Sequence, residues 1–152
     1  MAVADPGYTV EQIPVARTYA LRQAVLRPGR SLGEVALAGD SLPTTVAFGA
    51  VTADDEVIGI ARVSREAPPF QADAHGWRLR SMATRPAERG RGVGSAILDV
   101  VIAHCAANGG GTLWCSARLG ATSLYARAGM QPWGEVWEEP EIGPHVIMWR
   151  HV

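Results

Sequence analysis

The 152-residue chain contains no lysine; all 14 of its basic residues are arginine. A Walker A phosphate loop, a Schiff-base lysine and covalent pyridoxal phosphate all need that side chain, so all three are excluded. A genome biased toward Arg, Ala and Gly codons is the ordinary source of such an absence. Cysteine is almost missing too, with only Cys105 and Cys115. Neither lies in a Cys-x-x-Cys, and the histidines at 75, 104, 145 and 151 are scattered. No zinc-ligand spacing results, no metal is expected, and two thiols suit a reduced compartment. Charge of one sign is also missing, because 15 acidic residues leave a net charge of −1. That argues against a general polyanion or nucleic-acid binder, which is usually strongly basic. No apolar run approaches the roughly 20 residues of a membrane span. Met1 to Tyr8 lacks a basic, apolar leader, so a soluble, cytoplasmic protein with no membrane partner is expected.

What is present suits a globular chain. Hydrophobic residues make up 47% and charged residues 19%, which is enough for a core without staples. No repeat or interdomain linker is visible, so residues 1–152 are expected to form one domain. Tyr8 to Ile13 alternates as a first strand, and Pro14 opens a helix that Arg27-Pro28-Gly29 closes. Residues 44–64 form a hairpin around Asp54-Asp55-Glu56. From Trp77 to Thr84, Trp77, Leu79, Ser81 and Ala83 alternate with Arg78, Arg80 and Met82, predicting a strand. Ser95 to Ala107 has helical periodicity, ending at Asn108-Gly109-Gly110-Gly111. A strand over 112–117, a helix over 119–128 and two strands at 130–137 and 145–150 complete an α/β (α+β) chain with one mixed sheet.

The chemistry concentrates between residues 82 and 98. Glycines before a helix allow close backbone approach, and the free N–H groups of the helix start favour an anion such as a pyrophosphate. Arg89 and Arg91 add charge. A glycine-rich turn that merely caps the helix is the plainer alternative. A Rossmann loop fits poorly: Ser95 stands where the third glycine is needed, and residues 112–116 offer no carboxylate.

Arg89-Gly90-Arg91-Gly92-Val93-Gly94 does match R-x-x-G-x-G, and here the sequence resembles the GNAT superfamily of acyl-CoA-dependent N-acyltransferases. Met82-Ala83-Thr84-Arg85-Pro86 is similar to the strand preceding that loop. Ala121-x-x-Leu124-Tyr125-x-x-x-Gly129-Met130 resembles the later A-x-x-L-Y-x-x-x-G-F segment, with Met for Phe. The resemblance covers about residues 44–150. It implies a mostly antiparallel sheet of about six or seven strands with about four helices, splayed between the strands at 77–84 and 112–117. It implies acetyl-CoA as cosubstrate, its pyrophosphate held by Arg89, Gly90, Arg91, Gly92, Val93, Gly94 and Ser95. The pantetheine arm would lie along Met82, Ala83 and Thr84. Tyr125 would protonate the leaving thiolate, packing in the core being its plainer role.

The acceptor implied is a primary amine of a small molecule or protein, attacking directly in a ternary complex. The chain itself has no side-chain amine to acetylate. Glu138, Glu139, Glu141 and His145 are candidate bases, His145 because imidazole titrates near neutral pH; a structural histidine at a strand start is equally open. Glu135, Glu138, Glu139 and Glu141 either attract a cationic acceptor or form a solvated hairpin edge. Arg22, Arg27 and Asp40 stand where the family commonly builds its acceptor side, surface roles being equally open, and Arg22, Arg27 and Glu139 are the candidate substrate contacts. The five tryptophans suit core or a homodimer surface better than pocket walls. A non-catalytic acyl-CoA sensor and a nucleotide-binding regulatory domain are the alternative functions.

Overall fold

The computed structural model describes residues 6–72 and 75–152. Seven strands form one sheet: β1 (Tyr8–Ile13), β2 (Val46–Thr52), β3 (Val57–Arg65), β4 (Gly76–Thr84), β5 (Thr112–Arg118), β6 (Gln131–Glu139) and β7 (Gly143–His151). Their order is β1-β2-β3-β4-β5-β7-β6. Every pairing is antiparallel except β4 with β5, as expected of a mixed sheet. Gly143 and Pro144 open β7; the turn that divides the last two strands is at 140–142.

Three α-helices accompany the sheet: α1 (Tyr19–Leu21), α2 (Val93–Ala107) and α3 (Thr122–Arg127). The helix expected after Pro14 reduces to one α-turn between a 3-10 turn and a π-turn at Arg22–Leu26. This widened turn carries Arg22, which is 2% exposed, and its side chain reaches Asp40. A long-range ion pair thus takes over a segment whose local pattern is helical. Among the described residues, no helix is long and apolar enough to cross a membrane.

The two sheet faces bury separate clusters, as the period of two in a strand requires. Phe48, Ala50, Val63, Trp77 and Leu79 pack under Val93, Ile97, Leu98, Val101 and Cys105 of α2. Ile13, Leu21, Ala47, Val51, Ile60 and Ala83 form the other cluster. Gly59 lets α2 seat closely, because a Cβ there would stand 2.6 Å from Val93 Cγ1 and 2.9 Å from Ile97 Cδ1. Gly59→Val is expected to cost roughly 1–3 kcal/mol by overpacking. A denaturant titration checks this, and an unchanged midpoint would refute the close-seating argument.

One irregularity positions everything that follows. Arg62 pairs with Arg80, and Ile60 pairs with Ala83, so Ala61 faces both Ser81 and Met82. Ser81 takes φ +58. This β-bulge overturns the simple alternation expected from Trp77 to Thr84. Before it, Trp77 and Leu79 face α2; after it, Met82 faces α2 and Ala83 joins the opposite cluster. A bulge inserts one residue, bends its strand and reverses the parity beyond it. β4 and β5 pair only through Gly76–Thr112, Trp77–Leu113 and Arg78–Trp114. Beyond Arg78 they part, giving the splay that the resemblance implied.

Candidate active site

Two hollows flank the opened strands, and they share no lining residue. The first, about 390 Å³, lies at the glycine loop against Thr84, Arg89, Gly90, Gly92, Val93, Gly94 and Ser95, with Leu124 and Arg127 from α3. Gly90 and Gly92 have φ of +81 and +76, and a Cβ on either would meet nothing within 4 Å. The loop therefore needs glycine for its conformation and leaves its surface open. Gly92 caps α2 without a side-chain bond. The first helical hydrogen bond is donated by Ala96 to the Gly92 carbonyl, 3.0 Å. The amides of Val93, Gly94 and Ser95 thus have no acceptor within the helix, a polarity suited to an anion.

Not every residue expected at this loop contributes a side chain. The Arg91 guanidinium is engaged by Glu88 and the Pro6 carbonyl. Ala83 is buried in the opposite cluster, and Met82 lines the second hollow. Arg127 was not foreseen. Its only sequence signal is its place three residues after Leu124, nearly one helical turn on.

The second hollow is a cavity of about 460 Å³ between the splayed strands, the N-terminal turns and the β6–β7 hairpin. It brings together Tyr125, His145, Glu139, Arg22, Arg27 and Met82, which sequence spacing scatters over more than 120 positions. Tyr125 is 6% exposed. Burial, and then the neighbouring Cys115 thiol, raise its hydroxyl pKa well above the phenol value, so it holds its proton at any physiological pH. Cys115, also at the cavity wall, is pushed up to about 12 by burial and is an inert thiol.

His145 opens the buried run of β7 and is itself 7% exposed. Its Nδ1 lies 2.8 Å from the Gly143 carbonyl. A carbonyl can only accept, so Nδ1 carries the hydrogen, and Nε2 is the acceptor whenever the ring is neutral. Glu139 also lines the cavity, accepting from Trp137 Nε1 at 3.0 Å. Trp137 is a cavity wall as well, unlike the core or surface role expected of the tryptophans. Glu138 is exposed and does not line the cavity, because adjacent strand residues face opposite ways. Glu135 and Glu141 are exposed too. The acidic hairpin is therefore mainly a solvated edge, with Glu139 its one member at the wall.

Behind the cavity sits a buried ion cluster. Arg22 Nη1 and Nη2 donate to Asp40 Oδ2 and Oδ1 at 2.7 and 3.0 Å, and Arg22 Nη1 also donates to the Val35 carbonyl. Arg62 Nε stands 2.9 Å from Asp40 Oδ1, an ion pair whose N–H is not aligned as a hydrogen bond. Arg22 and Arg62 side chains are each 2% exposed and Asp40 is 9% exposed. Burial alone would raise the Asp40 carboxyl pKa. The Arg22 bonds, the Leu37 amide and both arginine charges outweigh that and hold it below the ordinary 3.8. Arg22 thus lines the cavity with its head group already committed.

A family model described as the Acetyltransferase (GNAT) family matches residues 18–130. The uncharacterized N-acetyltransferase YitI of Bacillus subtilis (strain 168) is 32% identical over 141 residues, covering 93% of this chain and 94% of YitI. A proposed N-acetyltransferase of Lactobacillus plantarum superposes with a TM-score of 0.77 at 25% identity, covering 95% of this chain and 98% of that one. A GNAT superfamily phosphinothricin acetyltransferase of Sinorhizobium meliloti, solved in complex with AcCoA, has a TM-score of 0.75 at 17% identity over 96% of this chain and 89% of that one. The last likeness is one of fold.

Proposed function

Because the chain belongs to the GNAT family of acetyltransferases, we propose that it moves the acetyl group of acetyl-CoA to a primary amine by direct attack in a ternary complex. The observation that carries this reading is the meeting of Tyr125 and His145 in one cavity, alongside the strand that leads into the glycine loop. The loop's residues fit the cosubstrate: an open glycine surface, three helix amides without intrahelical acceptors, and Arg89 and Arg127 at its rim. Bound acetyl-CoA supplies the thioester.

The chain's own groups handle protons and charge. An alkyl ammonium loses its proton at a cost of roughly 4 kcal/mol at pH 7 if solution does the work. His145 Nε2 accepts that proton, its tautomer fixed by the Gly143 carbonyl. The bulge at Ser81 and Met82 sets two residues against Ala61; a bulge leaves its extra residue outside the ladder, and that residue's amide would stabilise the developing oxyanion. The amine nitrogen bonds to the acetyl carbon as the carbon–sulfur bond breaks. Tyr125 Oη gives its proton to sulfur. The nitrogen loses two protons overall: one replaces the acyl group on sulfur by way of Tyr125, and one leaves to solvent through His145.

Thermal shift with acetyl-CoA, NAD and ATP tests the reading. Stabilisation by acetyl-CoA alone is expected, and no response to it would overturn the proposal. His145→Gln is expected to lower kcat/KM at pH 7 by about 10²-fold. A variant with unchanged kcat/KM would assign the base elsewhere.

A further inference from the structure

The cavity wall is built of arginine. Arg22, Arg27, Arg30, Arg78, Arg80 and Arg118 all line it, and among the described residues Glu34 and Glu139 are the only acids that do. Four of the six are already engaged. Arg22 holds Asp40, Arg30 holds Glu34 and Glu141, Arg78 holds Glu66, and Arg118 donates to the Leu26 carbonyl. Arg27 and Arg80 have no side-chain hydrogen bond or ion pair among the described residues.

Arg80 is the costly one. It lies directly opposite Arg62 in the β3–β4 register, and like charges directly opposite destabilise a sheet. Asp40 balances Arg62 and Arg22 together, leaving the trio with a surplus positive charge before Arg80 is added. Burial, then Arg78 and Arg62, make Arg80 harder to keep charged. Among the described residues, the buried side-chain polar atoms without a hydrogen-bond partner are Arg22 Nε, Arg62 Nε, Arg78 Nε and Ser64 Oγ. Ser64 faces Arg78, and Arg62 faces Arg80, so all but Arg22 Nε come from one four-residue patch. Arg62 and Ser64 do not themselves line the cavity, and Arg62 Nε faces Asp40 Oδ1; what the wall presents is Arg80 and Arg27 without a counter-charge, which suits a ligand bringing negative oxygen. The glycine-loop hollow has its own cations and shares no residue with this wall.

We propose that the acceptor is an amine whose other end is an oxyanion, a carboxylate or a phosphate, and that Arg80, assisted by Arg27, binds that group while the amine faces His145. This rests on the N-acetyltransferase reading and reverses the cationic acceptor suggested by the acidic hairpin. The planar guanidinium fork accepts either oxyanion bidentately.

Thiol release from acetyl-CoA with matched pairs tests it: phenylalanine against phenethylamine, and O-phosphoethanolamine against ethanolamine. The anionic member of at least one pair is expected to have the higher kcat/KM, by roughly ten- to hundredfold, and which pair shows it separates carboxylate from phosphate. Arg80→Gln should raise the KM for that amine by a similar factor and leave the acetyl-CoA KM unchanged. Its melting temperature should be unchanged or higher, since a like-charge pair is relieved. A merely structural arginine would lower the melting temperature and spare the amine KM, and that result overturns the proposal. Turnover that favours the uncharged members overturns it while leaving the N-acetyltransferase reading intact. If acetyl-CoA does not bind, that reading fails instead. Calorimetric binding of phenylalanine and O-phosphoethanolamine to wild type and Arg80→Gln then decides the arginine wall on its own, absence of binding overturning it.

Discussion

Tyr125→Phe is expected to lower kcat for acetyl transfer by about 10²-fold or more, with the acetyl-CoA KM within about twofold of wild type. The hydroxyl is buried at the wall of the splayed cavity, and burial and Cys115 keep it protonated. A protonated phenol can neutralise a departing thiolate, whose ordinary pKa is near 8.5. Phenylalanine preserves the ring that packs with Met130 and Val146 in the core, so stability should change little. The two roles considered for this residue, proton donor and core filler, are thereby separated. Steady-state kinetics at saturating substrates checks the first, and thermal denaturation the second. Unchanged kcat would remove Tyr125 from the chemistry.

Asp40→Asn is expected to destabilise the protein by roughly 3–5 kcal/mol, because it leaves two buried guanidinium groups without their counter-charge. For a chain of this size that is a fall in Tm of about 6–20 °C. Asparagine can still accept the Leu37 amide, so the loss isolates the charge. Adding Arg62→Met should recover part of it, by removing one of the two stranded cations. The same carboxylate makes stability depend on acid. Its folded pKa lies below its ordinary 3.8, so its contribution is complete above about that pH. The contribution is lost as pH falls through the depressed value. Denaturation midpoints of wild type should therefore fall more steeply below pH 4 than those of Asp40→Asn. Parallel acid curves would contradict the assignment.

What the amino-acid pattern reveals here is what is local. Gly90, Gly92 and Gly94 before an apolar helix announce the loop, because a left-handed turn and a helix start are written in consecutive residues. Leu124 and Tyr125 declare themselves in the same way, as do the hairpin of β2 and β3 and the boundaries of α2. The arginine wall is invisible in the sequence because it is assembled by register: Arg62 meets Arg80 across two strands, and Asp40 reaches Arg22 from 18 residues away. The bulge at Ser81 is hidden for another reason. A positive φ is normally marked by glycine or asparagine, and serine gives no such mark. With the bulge unseen, strict alternation misplaces Met82 and Ala83. Glu138 and Glu139 look equivalent as letters, and only the pleat of β6 separates a solvated carboxylate from one at the cavity wall.

Thiol release from acetyl-CoA, followed with and without a panel of amino acids and phosphorylated amines, reports directly whether this cavity transfers an acetyl group to an amine. Saturable release that requires the amine and yields an equal amount of N-acetylated product is the expected result. Release that is absent with every amine, or equally fast without any, would contradict it.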